Sequence, residues 1–379
     1  MKKIAAGLLL MCLFFSLYAV YAPPTQQVIV VFHDTPDANL VRQHGQVHTT
    51  FHLIPAVVAT LPQPAIDALS KNPNVKYIQP DTYRVYIDPV QGAGDPQPLE
   101  QTLPWGVDRI DAELAWVTST GAGVKVGIVD TGIDMDHPDL QANIKGGFNT
   151  IAPRRGYKDP NNFDDDNGHG SHCAGIVAAI DNDIGVIGVA PEAWLYGVKV
   201  LNRGGGGMTS DCIEGIQWCV DNGMDVISMS WGSTSYDQGI KDACDAAWAA
   251  GCVLVGAAGN GGDLEPDLYP AAYSSVIAVA ATDSSDNIAS FSNYGDEIEV
   301  AAPGVSIYSC YKNGEYATMN GTSMSCPHAA GVVALIWAAH PEYTNEQIRN
   351  TLSSTAEDLG DPGWDMYYGY GLVDAAAAV

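Results

Sequence analysis

From Glu100 onward the chain alternates short apolar runs with amphipathic stretches, and this alternation narrows the folds open to it more than any other feature. VKVGIV from Val124, WLYGVKV from Trp194, DVISMSW from Asp225, CVLVGAA from Cys252 and VIAVAAT from Val276 are rich in Val and poor in charge. Runs of that length and composition read as strands buried on both faces. Helical patterns stand among them: after His169, from Thr209 to Asn222, around Gln238 to Ala250, after Ser323 and from Asn345 to Ser354. Buried strands separated by helices imply an α/β fold, a mostly parallel sheet with helices on both faces. Ligands of such sheets bind outside the carboxyl ends of the strands. Polar residues directly after the apolar runs are therefore the ones to weigh.

Three segments carry chemistry. Asp130 ends the run that begins at Val124, so an acid lies where a buried strand emerges. His169, in NGHGSHCAGIVAAI, sits in a glycine turn that opens an apolar helix. Ser323, in NGTSMSCPHAAG, lies between a Gly-containing turn and another helix, whose unpaired N–H groups favour an oxyanion nearby. Pro327 costs little if it falls within the first turn of that helix, where its missing N–H has no partner to lose. Alone, Ser323 reads equally well as an ordinary helix cap. Together the three form a proton-relay set: a serine needs a base, the base needs a defined imidazole tautomer, and a buried carboxylate defines it.

The motifs DTGID, HGSHCAG and GTSMSCPH, in this order, resemble those of the subtilisin-like serine proteases, the subtilases. The likeness covers nearly the whole chain. It implies a triad of Asp130, His169 and Ser323, with Asn260 of VLVGAAGNGG completing the oxyanion hole beside the Ser323 backbone N–H. It places Ser230, Trp231 and Gly232 along the substrate cleft, and Ala257, Ala258 and Gly259 around an uncharged pocket that favours an apolar side chain. The reaction implied is hydrolysis of protein and peptide substrates. Rival readings are weaker. A lipase or esterase would place its serine in Gly-x-Ser-x-Gly, whereas Ser323 stands in GTSMS. His169 and His172 suggest zinc by spacing, but no HExxH or cysteine-pair framework completes such a site. A non-catalytic subtilase-like binding protein is the alternative in another class, and the filled catalytic positions count against it.

The chain of 379 residues with 46% hydrophobic content is long enough for two or three domains. Residues 1–22 carry Lys2 and Lys3, an apolar run and a small-residue end at Ala22, the pattern of a secretory signal peptide, so secretion is expected. Residues 23–99 read as a small α+β unit, with strands at 28–32 and 57–62, a helix from Pro64 and a further strand ending near NVKYIQPD. By resemblance this unit is the inhibitory propeptide and folding chaperone, with QGAGDPQP at 91–98 as linker. Cleavage between Leu99 and Glu100 would leave residues 100–379 as the catalytic domain, expected to act as a monomer.

The 17 basic and 44 acidic residues give a formal charge of −27, which argues against a nucleic-acid partner. The resemblance connects acidity with structural calcium instead, placing Gln101, Asp139, Ile180, Asn182, Ile184 and Val186 at liganding positions, the apolar ones through backbone carbonyls. Asp159, Asp164, Asp165 and Asp166 form an acidic run before His169 that reads either as a second cation site or as a solvated loop. Cys212 and Cys219, about 10 Å apart along one helix, cannot bridge. Cys173 and Cys326, near His169 and Ser323, are expected to be close together, buried and reduced.

Overall fold

The structure, a computed structural model, describes residues 24–87, 100–151, 159–262 and 268–379. The expected signal peptide, the linker at 91–98 and Leu99 at the expected cleavage point lie outside them. The chain divides into two compact units: residues up to Thr50 with Pro55–Pro80, and Phe51–Ile54 with Asp81–Val379.

The first unit contains β1 (Thr25–Phe32), α1 (Ala38–Arg42), β2 (Gln46–Phe51), β3 (Ala56–Pro62), α2 (Gln63–Leu69) and β4 (Val75–Pro80). Its sheet runs β2-β3-β1-β4, with β1 antiparallel to both β3 and β4. Val28, Val30 and Phe32 alternate onto one face of β1 and meet Val57, Ala59, Leu61 and Leu69, which form the core. The expected strands and α2 are present. The polar edge strand β2 and the single-turn α1 are additions, because neither carries an apolar run for periodicity to detect.

The second unit contains β5 (Tyr83–Val85), α3 (Trp105–Arg109), α4 (Ala112–Ala115), β6 (Lys125–Asp130), β7 (Ile144–Asn149), α5 (His169–Ala178), β8 (Trp194–Lys199) and β9 (Gly206–Met208). It continues with α6 (Thr209–Asp221), β10 (Val226–Met229), α7 (Gln238–Ala249), β11 (Val253–Ala257), β12 (Val276–Thr282), β13 (Ile298–Pro303), β14 (Ile307–Tyr311) and β15 (Glu315–Met319). Helices α8 (Thr322–Ala339), α9 (Asn345–Ser354) and α10 (Ala375–Ala378) complete it. Seven strands form one sheet in the order β13-β12-β11-β10-β6-β8-β7, and all of its ladders are parallel. The five strands and five helices expected from sequence are all present. Edge strands β7 and β13 were not expected, because Gly146 and Gly147 interrupt the first and Glu299 the second.

Alternation along β6 separates the two helical layers. Val126 and Ile128 join the core that includes α5 and α8. Gly127 faces the other way, and a Cβ there would lie 2.9 Å from the Cys219 sulfur of α6. Each Val or Ile so buried contributes about 1.5–3 kcal/mol of transfer free energy. Helix α8 is buried along nearly its whole length, which accounts for its lack of a polar face. The strand order reverses between β6 and β10, where β8 continues one half of the sheet and β11 the other. At such a switch point the loops diverge and leave a crevice at the carboxyl ends.

Candidate active site

Asp130 is the last residue of β6, on the edge of that crevice. It is buried, and its Oδ1 accepts from the Thr131 N–H at 2.7 Å and from His169 Nδ1 at 2.8 Å, while Oδ2 lies 3.0 Å from the same ring nitrogen. A proton on Nδ1 leaves Nε2 as the acceptor in the neutral ring. Burial pulls the His169 pKa down, but the facing Asp130 carboxylate outweighs it and holds the pKa well above the ordinary histidine value.

The turn before α5 is held by Asp165, which sequence reasoning set among possible cation ligands. Its carboxylate accepts from the Asn167, Gly168 and Ser171 N–H groups, each at 2.9 Å, and from the Thr131 and Ser171 hydroxyls at 2.9 and 2.7 Å. An acceptor so occupied anchors the first turn of α5, and with it His169. The other members of the acidic run are also employed separately. Asp166 pairs with Lys199 at 2.6 Å, Asp164 accepts weakly from the Met135 N–H at 3.4 Å, and Asp159 closes its own turn on Asn161 at 3.0 Å. These four carboxylates serve separate partners, which favours the loop reading of the acidic run over a shared cation site. The signal that could have marked Asp165 is an acid shortly before a helix start, where unpaired N–H groups attract it.

Ser323 opens α8, and its hydroxyl donates to the Ser230 carbonyl at 3.0 Å, with no hydrogen bond to His169 among the described residues. Both nevertheless line one cleft of about 850 Å³, together with Trp231, Gly232, Ala257, Gly259 and Asn260. The Asn260 Oδ1 accepts from the Thr322 N–H at 2.9 Å and the Thr322 hydroxyl at 3.0 Å, which leaves the amide NH2 for the cleft next to Ser323. Thr322 was not anticipated, although it adjoins the nucleophile in the motif. A groove of about 1000 Å³ lined by Glu299, Arg349 and Trp364 contains none of these groups.

Pro327 lies in the second turn of α8, not the first. Its missing N–H frees the Ser323 carbonyl, four residues back. The Cys173 thiol fills that role, 3.4 Å from the Ser323 oxygen and 3.9 Å from His169 Nδ1. Cys326 lies 3.4 Å from the Val255 carbonyl and 3.6 Å from the Ser228 hydroxyl. Burial raises both thiols, Cys326 to about 12, so neither is a thiolate at neutral pH. All seven cysteines among the described residues are free and buried.

One residue expected to line the cleft, Ala258, faces elsewhere. Alternation past β11 turns it toward Ala271, Ala278 and Ala301. Ser230 offers its carbonyl to Ser323 and keeps its own hydroxyl buried. Trp231 does belong to the cleft wall, donating its indole N–H to the Val129 carbonyl at 2.7 Å. The zinc reading also fails. His172 turns away from His169, its Nε2 lying 3.1 and 3.0 Å from the Ile307 and Ala317 carbonyls, and burial pushes it down to about 3.

The cleft is lined as well by the chain's own residues Val85, Tyr86 and Ile87. Strand β5 pairs antiparallel with β9, Tyr83 opposite Met208 and Val85 opposite Gly206. The Tyr86 N–H donates to the Gly205 carbonyl at 2.9 Å, and its own carbonyl accepts from the Gly232 N–H at 3.1 Å. The glycine run makes this approach possible, since a Cβ on Gly206 would fall 2.7 Å from the Arg84 oxygen. The Tyr86 ring meets Trp231 edge-on, with centroids 5.1 Å apart. Asp81 caps α6, accepting from the Ser210 N–H at 2.9 Å and hydroxyl at 2.7 Å.

The residues placed by sequence at the first calcium site lie together elsewhere. Gln101 Nε2 is 2.8 Å from the Ile180 oxygen and 3.3 Å from the Val186 oxygen. Asn182 Nδ2 is 2.9 Å from Asp139 Oδ1, and the Asn182 Oδ1 accepts from the Ile184 N–H at 2.7 Å. Asp139 is fully buried, and its Oδ2 accepts from the Val186 N–H and the Tyr316 hydroxyl, both at 2.9 Å.

Comparison with known proteins agrees with this geometry. Residues 121–371 match the model of the subtilase family, a peptidase family. Subtilisin NAT of Bacillus subtilis subsp. natto is 42% identical over 338 residues, covering 88% of this chain and 83% of its own. The thermostable alkaline protease of Halalkalibacterium halodurans is 42% identical over 356 residues, covering 93% of this chain and 91% of its own. Subtilisin DY of Bacillus licheniformis is 49% identical over 282 residues, covering 73% of this chain and 99% of its own. With a parallel sheet whose strand β6 ends on an acid bonded to His169, His169 and Ser323 on one cleft, and these relatives, the chain belongs to the subtilase family of serine endopeptidases.

Proposed function

We propose that the protein is a secreted, calcium-stabilised endopeptidase made as a self-processing precursor. In this reading Ser323 Oγ attacks the peptide carbonyl while His169 Nε2 takes its proton, Asp130 holds the imidazole, and Asn260 with the Ser323 N–H stabilises the oxyanion. His169 then gives the proton to the departing amine, and water releases the acyl group by the same route in reverse. Residues 1–22 act as the signal peptide and 23–99 as the inhibitory propeptide, cut between Leu99 and Glu100. A relative named minor extracellular protease Epr, of Bacillus subtilis, 38% identical over 360 residues, supports secretion.

The observation that carries the inhibitory reading is that Val85, at the end of β5, and the following Tyr86 and Ile87 line the cleft that contains His169 and Ser323. A segment laid there excludes substrate until it is cut. An active-site serine phosphonylating reagent tests this. It should label Ser323 in mature enzyme beginning at Glu100, and label the uncut precursor far more slowly. Equal labelling of the two would overturn the inhibitory role, and labelling of neither would overturn the catalytic one.

The donor set at Gln101, Asp139, Ile180, Asn182, Ile184 and Val186 suits calcium, which takes carboxylate, amide and carbonyl oxygens. Carbonyls of Ile180 and Val186 converge on the Gln101 amide, and half a turn of that amide presents its oxygen instead. Bound calcium would add RT ln(1 + [L]/Kd) to stability, about 2.7 kcal/mol at a hundredfold excess over Kd. Chelation should therefore lower Tm by several degrees in a domain of this size, on the order of 2–4 °C per kcal/mol. In Asp139→Ala the difference in Tm between calcium and chelator should nearly vanish. A wild-type Tm identical in both would refute the metal.

A further inference from the structure

One contact of β5 engages a charge that the reaction does not use. Arg84 Nη1 lies 2.9 Å from Asp237 Oδ2, with the carboxylate side chain only 3% exposed. Asp237 is held firmly: its Oδ1 accepts from the Gly239 and Ile240 N–H groups at 3.1 and 3.2 Å, starting α7, and its Oδ2 accepts from the Thr209 hydroxyl at 2.9 Å. Side chains alternate along a strand, so Arg84 and Tyr86 leave the same side, toward Asp237 and Trp231. Val85 points the other way and is 59% exposed.

We propose that Asp237 is a specificity-determining residue of the mature enzyme, taking a cationic side chain of the substrate two residues before the one that packs on Trp231. This rests on the reading that β5 lies as a substrate does. The carboxylate, its capping bonds and Thr209 all belong to the catalytic unit and stay when residues 81–87 leave. What remains is an anion fixed by its capping bonds and by Thr209 at the edge of an extended binding strand. A guanidinium matches it in charge and hydrogen bonding. A neutral side chain forgoes the ion pair that Arg84 makes, and a carboxylate there is repelled. The exposed position between the two is indifferent, so the recognised pattern is a cation, any residue, then an aromatic.

The test uses purified mature enzyme and peptides bearing Arg-Val-Tyr followed by four randomised residues, so that the cut bond need not be assumed. Cleavage is followed by mass spectrometry, with Arg replaced by Ala or Glu. In the wild type kcat/KM should be at least about tenfold higher for Arg than for Ala, and lower again for Glu. In Asp237→Asn, which can still cap α7, the Arg-to-Ala ratio should fall toward one. Moving Arg one residue toward the amino end should abolish the preference, because it would then point away from Asp237. Equal cleavage of Arg and Ala peptides by the wild type, or an undiminished ratio in Asp237→Asn, would overturn the proposal. Casein digestion separates the two layers. If the wild type degrades casein and Ser323→Ala does not, a flat profile sinks only the role of Asp237; casein left intact by the wild type overturns both.

Discussion

Ser323→Ala is expected to lower kcat by roughly six orders of magnitude, the magnitude being that known for the nucleophile of subtilisin, itself a member of this family. The loss follows from the unit the residues form: without the hydroxyl, His169 has no proton to take and the oxyanion donors have no tetrahedral adduct to bind. The fold should survive. The lost side chain makes one hydrogen bond, to the Ser230 carbonyl, and Ser323 is only partly buried at the opening of α8. The same variant should accumulate as uncut precursor, because the cut between Leu99 and Glu100 needs the same nucleophile. Turnover of a peptide substrate and amino-terminal sequencing measure the two effects. Peptidase activity near that of the wild type would remove Ser323 from the mechanism, and a variant processed at the normal site would show that another protease makes the cut.

The second large effect is expected from Asp130→Asn, a loss of about 10⁴-fold in kcat at neutral pH. The amide keeps the shape of the carboxylate but not its charge, so the imidazole loses what holds its proton on Nδ1. The pH profile makes this more than a structural test. His169 acts as a base only when neutral, and Asp130 holds its pKa above the ordinary value, so wild-type activity should rise with pH through that raised pKa. Without the charge, the largest influence left on the ring is burial, which lowers its pKa. The acid limb of the variant's residual activity should therefore move to lower pH. A limb that stays in place, or moves upward, would mean that Asp130 does not govern the titration of His169.

The places of Asp130, His169 and Ser323 in the fold were legible because each stands at a junction the sequence marks: an apolar run ending on an acid, or a glycine turn opening an apolar helix. The strands β6, β8, β10, β11 and β12 were legible because burial on both faces leaves a nearly unbroken apolar run. Edge strands β7 and β13 are buried less uniformly and interrupted by glycine or glutamate, so the same criterion passes over them. The turn of α8 that holds Pro327 was left open by the sequence, since nothing in the motif says which residue caps the helix.

By itself, then, the sequence determined the fold class and the family, and marked the residues proposed to carry the chemistry, because these depend on local pattern and on residue type. Tertiary structure decided what each group faces. It turned Ala258 away from the cleft, spent Asp165 on the turn before His169, put the Cys173 thiol against the carbonyl that Pro327 leaves free, and laid Arg84 and Tyr86 against Asp237 and Trp231. Those outcomes depend on strand register and on contacts between residues up to about 150 positions apart, such as Arg84 with Asp237. Composition and periodicity act over a few residues and contain no term for partners that distant.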